Sequence, residues 1–191
     1  MIVNSHNDWD PLEEIIVGHA HHSRIATDIS ARSFSYANFD KEDVEKLEGP
    51  YPQWVIDEAN EDADGLAKAL EDLGVIVHRP KIIDWEQKSY DIGQGWQSKG
   101  WYSWCPRDLI LPLGDMLIET PTPVRARYFE TRLYEDIMYE AFEDGALWFA
   151  APKPKLHDDL YTFEDIENKP TLLNHEIVFD APNIVRVGRD L

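Results

Sequence analysis

A run of two strands, a helix and a third strand occurs twice along this chain of 191 residues, and this repetition constrains its fold most. In the clearer copy, the apolar runs 109–113 and 116–118 flank Gly114-Asp115, which predicts a β-hairpin. The apolar run 146–150 predicts the closing strand. Between them, the apolar residues spaced as one face of a helix are Tyr134, Ile137, Met138, Ala141 and Phe142.

The first copy is less regular, and a third copy only begins. Short strands are predicted at 14–18 and 75–77, and a third hairpin is predicted where the runs 176–179 and 184–187 flank a turn. Units of this kind bury their apolar faces only by stacking or by closing into a ring, so we expect an α/β fold. The helix of the first copy is predicted to end at Gly74, and its apolar face consists of Ala59, Ala63, Leu66, Leu70 and Leu73.

The charge of the chain argues against several classes of partner. Eighteen Lys and Arg residues against 37 Asp and Glu residues give a formal net charge of −19, which repels nucleic acid and anionic membranes. Such a surface suits cationic metabolites or, alternatively, is solvated and has no partner. A single cysteine excludes an internal disulfide, and the N-terminus does not resemble a signal peptide. No apolar run reaches the roughly 20 residues of a membrane span, and we expect a cytoplasmic protein.

Asp108 is the first candidate site residue, because it stands at the mouth of the predicted hairpin in Pro106-Arg107-Asp108. A carboxylate there is suited to holding a flat cationic group by paired charge-assisted hydrogen bonds. The structural alternative is that Asp108 pairs with Arg107 or caps a turn. Four aromatic residues precede it and either wall a pocket or fill the core, namely Trp96, Trp101, Tyr102 and Trp104.

Two other features suggest chemistry less strongly. His19, His21 and His22 are close enough in sequence to bind a metal, but no carboxylate or cysteine stands at a matching spacing, so a surface loop is favoured and no metal site is predicted. Cys105 lies near Arg107, which is typical of an activated thiol, but a small half-buried residue is the favoured interpretation.

Six segments resemble the glycine/inosamine amidinotransferase family, and they follow one another in the family's order from residue 4 to residue 190. Each is weakly specific alone, and together they are specific. They are 4–18, Pro106-Arg107-Asp108 with Ile118-Glu119, Arg125-Ala126-Arg127-Tyr128-Phe129-Glu130, Gly145-Ala146-Leu147-Trp148, Ala151-Pro152-Lys153-Pro154-Lys155, and Phe179-Asp180-Ala181 with Arg186-Val187-Gly188-Arg189-Asp190.

The resemblance implies a five-bladed, pentein-like α/β propeller of β-β-α-β modules. Residues 1–191 would form the N-terminal part of this single domain, about two modules and the start of a third. It also implies transfer of an amidino group from L-arginine to glycine or a similar amine through a covalent amidino-cysteine, without a cofactor. By the same resemblance, Asp108 hydrogen-bonds the substrate guanidinium and Asp180 orients the catalytic histidine.

The chain departs from the family pattern in the reactive residues. The family's catalytic histidine and cysteine, and its second guanidinium-holding aspartate, lie downstream of the Phe-Asp-Ala block. Cys105 and the seven histidines of this chain do not match them. We therefore expect the chain alone to be inactive, with L-arginine and an amine as the substrates of the intact enzyme. The alternative is a short non-catalytic protein or a split-enzyme half, acting as a homodimer or with a complementing C-terminal chain.

Overall fold

The computed structural model describes residues 3–34, 36, 39–86, 90–91, 93, 95–162, 171–172 and 174–188. Its α-helices are α1 (Ile29–Phe34), α2 (Lys41–Glu45), α3 (Gln53–Asp72) and α4 (Glu135–Glu143). Its strands are β1 (Glu14–Ile16), β2 (Arg24–Ile25), β3 (Gly49–Pro50), β4 (Ile76–His78), β5 (Tyr90–Asp91), β6 (Gln97–Ser98), β7 (Ile110–Leu113), β8 (Met116–Glu119), β9 (Leu147–Ala150), β10 (Tyr161–Thr162) and β11 (Thr171–Leu172).

The second strand–helix–strand unit matches the prediction. Strands β7 and β8 form an antiparallel hairpin around Gly114, whose φ of +60° a glycine adopts without strain. Helix α4 then returns the chain so that β9 pairs in parallel with β8. The main core lies between this helix and this sheet, and its members include Leu109, Ile110, Leu117, Leu133, Tyr134, Met138 and Ala141.

One residue of the predicted helical face is outside that core. Phe142 is 55% exposed, whereas Tyr134, Met138 and Ala141 are fully buried. Successive residues of an α-helix are rotated by about 100°, so Phe142 lies on the flank of the face that Ala141 centres. Including Phe142 in the apolar face was therefore wrong.

The first unit is a strand, a helix and a strand with a thinner core. Strands β1 and β4 pair in parallel, and α3 connects them and ends at Gly74, which has a φ of +87°. His78 Nε2 lies 2.8 Å from Glu14 Oε2 across this pair. The helix was predicted correctly but its buried face was not, because Leu66 and Leu73 are exposed and the buried α3 residues are Ile56 and Ala67.

The predicted third hairpin is wrong for the described residues 174–188. This segment forms a 3₁₀ turn at Ala181–Asn183 and has a single bridge, from Val187 to Asn7. Asp180 N–H donates to Asn183 Oδ1 at 3.2 Å, and this local bond favours a turn over a strand. The remainder of the motif, Arg189 and Asp190, lies outside the described residues.

The architecture is therefore mixed α/β. Within the described ranges there are four two-stranded sheets and one three-stranded sheet, β7-β8-β9. The ring of a five-bladed propeller stays a prediction. Among the helices of these ranges, none is both long enough and apolar enough to cross a membrane.

Candidate functional site

Asp108 occupies the place that the sequence suggested. It is the last residue of a 3₁₀ turn, Pro106–Asp108, directly before β7. Thr120, just after β8, donates its Oγ1 hydrogen to Asp108 O at 2.9 Å, so both strands of the hairpin position this residue. The Asp108 side chain is 26% exposed, which leaves part of the carboxylate open to a ligand.

The partner of Asp108 is Arg127, and this contact was not predicted. Arg127 Nη1 donates to Asp108 Oδ2 at 2.5 Å. Arg107, the neighbour considered for this pairing, is exposed instead and lines a nearby cavity. The pairing alternative therefore named the right kind of interaction and the wrong arginine.

Arg127 is itself held on several sides. Its Nε and Nη2 donate to the two carboxylate oxygens of Glu130 at 2.7 and 2.9 Å, which is a bidentate pair. Nη2 also donates to Cys105 O at 3.2 Å, and the guanidinium carbon lies 4.8 Å from the centre of the Tyr102 ring. Both Arg127 and Glu130 are fully buried, so this geometry offsets the cost of removing two charges from water.

Asp180 brings a third carboxylate to the same place. Phe179 N–H donates to Pro121 O at 3.3 Å, which holds the Asp180 segment beside the end of the hairpin. Asp180 is only 9% exposed, and Thr122 hydrogen-bonds its carboxyl group. Its Oδ1 atom is buried and has no hydrogen-bond partner among the described residues. We call Asp108, Arg127, Glu130 and Asp180 the carboxylate cluster.

The charges of the carboxylate cluster do not balance. One guanidinium faces three carboxylates, and their mutual repulsion shows in the pKa values. Burial raises the pKa of Glu130 to about 7; Arg127 opposes this rise, and Asp108 and Asp180 add to it. Burial likewise raises the pKa of Asp180. Burial opposes the charge of Arg127, but Glu130 holds the pKa of Arg127 above its usual range. This electrostatic environment favours a second cation.

The features considered as alternatives are structural. Burial and then Asp108 raise the pKa of the Cys105 thiol, which disfavours the reactive thiolate. His19 is buried between Ser103 Oγ, 3.1 Å from its Nδ1, and Lys81 O, 3.3 Å from its Nε2. In the described part of the chain, no group of three or more His, Cys, Asp or Glu side chains is arranged to hold a metal ion.

The aromatic residues divide between core and site. Trp96 and Trp101 are buried, as the core interpretation predicts. Trp104 is half-buried and stacks on Tyr102, with ring centres 4.9 Å apart and planes 11° from parallel. Since Tyr102 also covers Arg127, this stack forms one side of the carboxylate cluster.

A cavity of about 500 Å³ is lined by sequence neighbours of the carboxylate cluster, although none of the four cluster residues is in its lining. The N-terminal segment and the β7–β8 hairpin form its walls, and Arg107 and Ala181 contribute to its lining. These two residues are sequence neighbours of Asp108 and Asp180. The backbone that positions both aspartates therefore also borders open space of ligand size.

Comparisons with known proteins give consistent results, although no family model matches the chain. Inosamine-phosphate amidinotransferase 1 from Streptomyces glaucescens is 41% identical over 198 residues, which cover all of this chain and 54% of the relative. The mitochondrial glycine amidinotransferase of Xenopus laevis is 35% identical over 206 residues, 99% of this chain and 47% of the relative. The chain thus spans about half the length of the curated relatives it matches.

Solved structures of amidinotransferases also superimpose on this chain. An inosamine-phosphate amidinotransferase from Streptomyces griseus superimposes with a TM-score of 0.84 at 36% identity, over 97% of this chain and 53% of that structure. SxtG, an amidinotransferase from Microseira wollei, superimposes with a TM-score of 0.82 at 35% identity, over 98% of this chain and 55% of that structure.

Proposed function

This chain is a homologue of the inosamine-phosphate and glycine amidinotransferases, and on that premise we propose that it supplies the guanidinium-binding part of an arginine-dependent amidinotransferase. The enzyme would transfer an amidino group from L-arginine to glycine or a similar amine. The observation that carries this proposal is the charge imbalance of the carboxylate cluster, in which three carboxylates face one buried guanidinium. A second guanidinium from the substrate would offset the excess negative charge.

In this proposal, Asp108 holds the substrate by charge-assisted hydrogen bonds. Its Oδ2 is engaged by Arg127, while none of the described residues donates to its Oδ1. The side chain is also partly exposed, so a ligand can reach it. A guanidinium that donates to Oδ1 would satisfy the second oxygen of the carboxylate. The same bond would fix the plane of the guanidinium for attack on its carbon.

Asp180 has a different proposed role, the orientation of a histidine. Its buried Oδ1 has no donor within the described ranges, and an imidazole N–H would supply one. Such a bond fixes the tautomer and plane of the ring, which a general acid–base needs. The histidine itself would come from a part of the enzyme beyond these 191 residues.

The proposed chemistry has two steps, with a cysteine that also lies beyond this chain. The thiolate sulfur bonds to the guanidinium carbon, the bond from that carbon to the arginine Nε breaks, and the leaving ornithine amine takes a proton from the histidine. The acceptor amine then attacks the same carbon and gives a proton to the histidine. The carbon–sulfur bond breaks and the thiolate is restored.

The purified chain should be incubated with L-arginine and glycine and assayed for ornithine. We expect none from the chain alone, because loss of the nucleophile or its base costs on the order of a millionfold in turnover. Addition of the remaining half of a relative, carrying the histidine and cysteine, should restore ornithine formation, and Asp108→Asn should abolish it again. Ornithine production by the chain alone at family-like rates would overturn the proposal.

A second proposal, action by association, is favoured by strand β9. It is an edge strand in the sheet β7-β8-β9, and its Leu147 and Phe149 are exposed. An exposed apolar edge pairs readily with another chain. Sedimentation analysis distinguishes the cases: a dimer that forms without a second polypeptide supports self-association, and a monomer that binds the complementing half supports a split enzyme. The cytoplasmic location also stays a prediction, since the Xenopus relative is named as mitochondrial.

A further inference from the structure

The guanidinium of Arg127 bridges two carboxylates of unequal exposure. Glu130 is fully buried and accepts two bonds from it, whereas Asp108 is partly exposed and accepts one. A bidentate pair fixes the plane of the guanidinium. Once Nε and Nη2 are bound to Glu130, the two N–H directions of Nη1 are fixed in the same plane, and one of them leads to Asp108 Oδ2.

Two further contacts remove the remaining freedom of the Arg127 side chain. Cys105 O accepts a second hydrogen from Nη2 at 3.2 Å. The Tyr102 ring covers the guanidinium at 4.8 Å and is itself stacked on Trp104. Arg127 therefore presents Nη1 to Asp108 from a rigid support.

We propose that Arg127 and Glu130 are positioning residues for Asp108: Glu130 orients the guanidinium, and the guanidinium fixes one oxygen of Asp108 so that the other is directed to a ligand. This inference rests on the proposed function in one respect, that the ligand carries a guanidinium. Both residues are buried and would act on a ligand only through Asp108, so the role assigned to them is positioning and not catalysis. A merely structural pair would stabilise the fold without affecting the conformation of Asp108.

The chain offers a matched control within the same 3₁₀ turn, Arg125–Arg127. Arg125 is also buried, donates to Leu156 O at 2.8 Å through Nε, and pairs with Asp158 at 2.6 Å. Its partners are separate from the carboxylate cluster. Replacing Arg125 with lysine also perturbs a buried arginine of this turn, while leaving the contacts of Asp108 in place.

The test uses the full chain labelled with ¹³C at the aspartate carboxyl groups, with Glu130→Gln, Arg127→Lys and Arg125→Lys as variants. Asp108→Asn identifies the Asp108 carboxyl signal in an NMR spectrum. Without ligand, we expect Glu130→Gln and Arg127→Lys to shift and broaden this signal, because its conformation is no longer fixed. Arg125→Lys should leave it unchanged.

L-Arginine is then titrated into each protein. We expect Glu130→Gln and Arg127→Lys to weaken binding by about tenfold or more, the usual effect of losing a hydrogen bond to a charged group. Arg125→Lys should bind within about twofold of the wild type. If Arg127→Lys binds L-arginine with wild-type affinity, a positive charge at this position is enough for binding without the guanidinium geometry, and the inference is overturned.

The outcomes separate the inference from the proposed function. If the wild type does not bind L-arginine but the ligand-free Asp108 signal still responds to Glu130→Gln, the proposed ligand is wrong and the positioning role stands. If the signal is unmoved in a folded Glu130→Gln protein, the positioning role is wrong. Unfolding of Glu130→Gln, which retains the shape of the side chain, would assign the pair to folding and overturn the inference as well.

Discussion

Arg125 and Arg127 lie two residues apart in one 3₁₀ turn and serve two regions of different character. Arg125 binds the loop at Leu156, whose carbonyl accepts from both Nε and Nη2, and pairs with Asp158, which is 72% exposed. Its guanidinium also lies over the Trp96 ring, 5.3 Å from the ring centre. These partners are a neutral carbonyl, an aromatic ring and a hydrated carboxylate, so the region has no excess charge.

Arg127 is surrounded by carboxylates that have little or no contact with water. Glu130 and Asp180 are buried, and Asp108 is mostly so. Both arginines are buried, so the difference between the regions comes from their carboxylate partners, which are hydrated around Arg125 and buried around Arg127. Where the partner is hydrated, the arginine joins two segments. Where several partners are buried, negative charge is left that a ligand can neutralise.

The largest expected difference between the two regions is in stability. Arg127→Met would leave buried carboxylates without their counter-charge, and we expect the free energy of unfolding to fall by about 3–5 kcal/mol. Arg125→Met would leave a buried carbonyl unsatisfied, for a loss of about 1–3 kcal/mol. Urea unfolding of both variants measures the two losses. Equal losses would contradict the distinction between the regions.

The pH dependence of stability should come from the carboxylate cluster. The pKa of Glu130 is raised to about 7 in the folded protein, above its ordinary value of 4.5, chiefly by burial. The folded state then binds a proton that the unfolded state has released. The resulting stability is complete below pH 4.5 and is lost as the pH rises through 7. The expected slope is about 1.4 kcal/mol per pH unit within this window.

Urea unfolding of the wild type and Glu130→Gln between pH 5 and 7.5 checks this slope. Both proteins retain His19, whose pKa burial lowers to about 4 and whose effect has the opposite sign, so their difference isolates Glu130. The charged and titratable groups around Glu130 are also common to both, namely Arg127, Asp108, Asp180, Tyr134, Tyr102 and Cys105. A difference that is constant with pH would contradict the prediction.

Asp180 should behave unlike an ordinary salt-bridge partner. Its Oδ1 is buried without a donor, and its neighbours include Asp108. Neutralising it by Asp180→Asn should therefore raise the free energy of unfolding at pH 7, because burial disfavours the charged carboxylate. Thermal unfolding measures the change. A clear loss of stability would show that the Arg127 charge and the Thr122 hydrogen bond outweigh this burial.

The smallest effect is expected at the exposed end of the Arg125 region. Asp158→Asn removes a pair whose carboxylate is largely hydrated, so the change in unfolding free energy should be within about 0.5 kcal/mol. L-Arginine binding should be unchanged, whereas Asp108→Asn should abolish it. NMR titration compares the two. An equal loss of binding would mean that charge at either region attracts the ligand nonspecifically.

Local sequence patterns predicted the second unit well because its turn and its helix are determined by residues close together in the sequence. Gly114-Asp115 between two apolar runs fixed the hairpin, and the spacing of Tyr134, Met138 and Ala141 identified the buried face of α4. The same reasoning overestimated the buried face of α3. Apolar spacing indicates which residues share a face but not which of them are covered, and Leu66 and Leu73 are exposed in the described part of the chain.

Of the carboxylate cluster, only the two aspartates were predicted as site residues: Asp108 from its place at the predicted hairpin, and Asp180 through the family resemblance. Arg127 and Glu130 are three residues apart, a spacing that is typical of exposed ion pairs on a surface. The other two carboxylates near them, Asp108 and Asp180, are distant from them in sequence. The third hairpin failed in its strands and not in its turn: the turn at Ala181–Asn183 lies where it was predicted, but within the described residues the flanking segments do not pair with each other.

The wide separation of the carboxylates along the chain has a consequence for synthesis on the ribosome. Fifty residues separate Glu130 from Asp180. At about 5–20 residues per second, adding them takes roughly 3–10 s. Arg127 and Glu130 can pair as soon as both have emerged, before Asp180 has been made. Arg127 can therefore already be paired with Glu130 when Asp180, the last carboxylate of the cluster, is added to the chain.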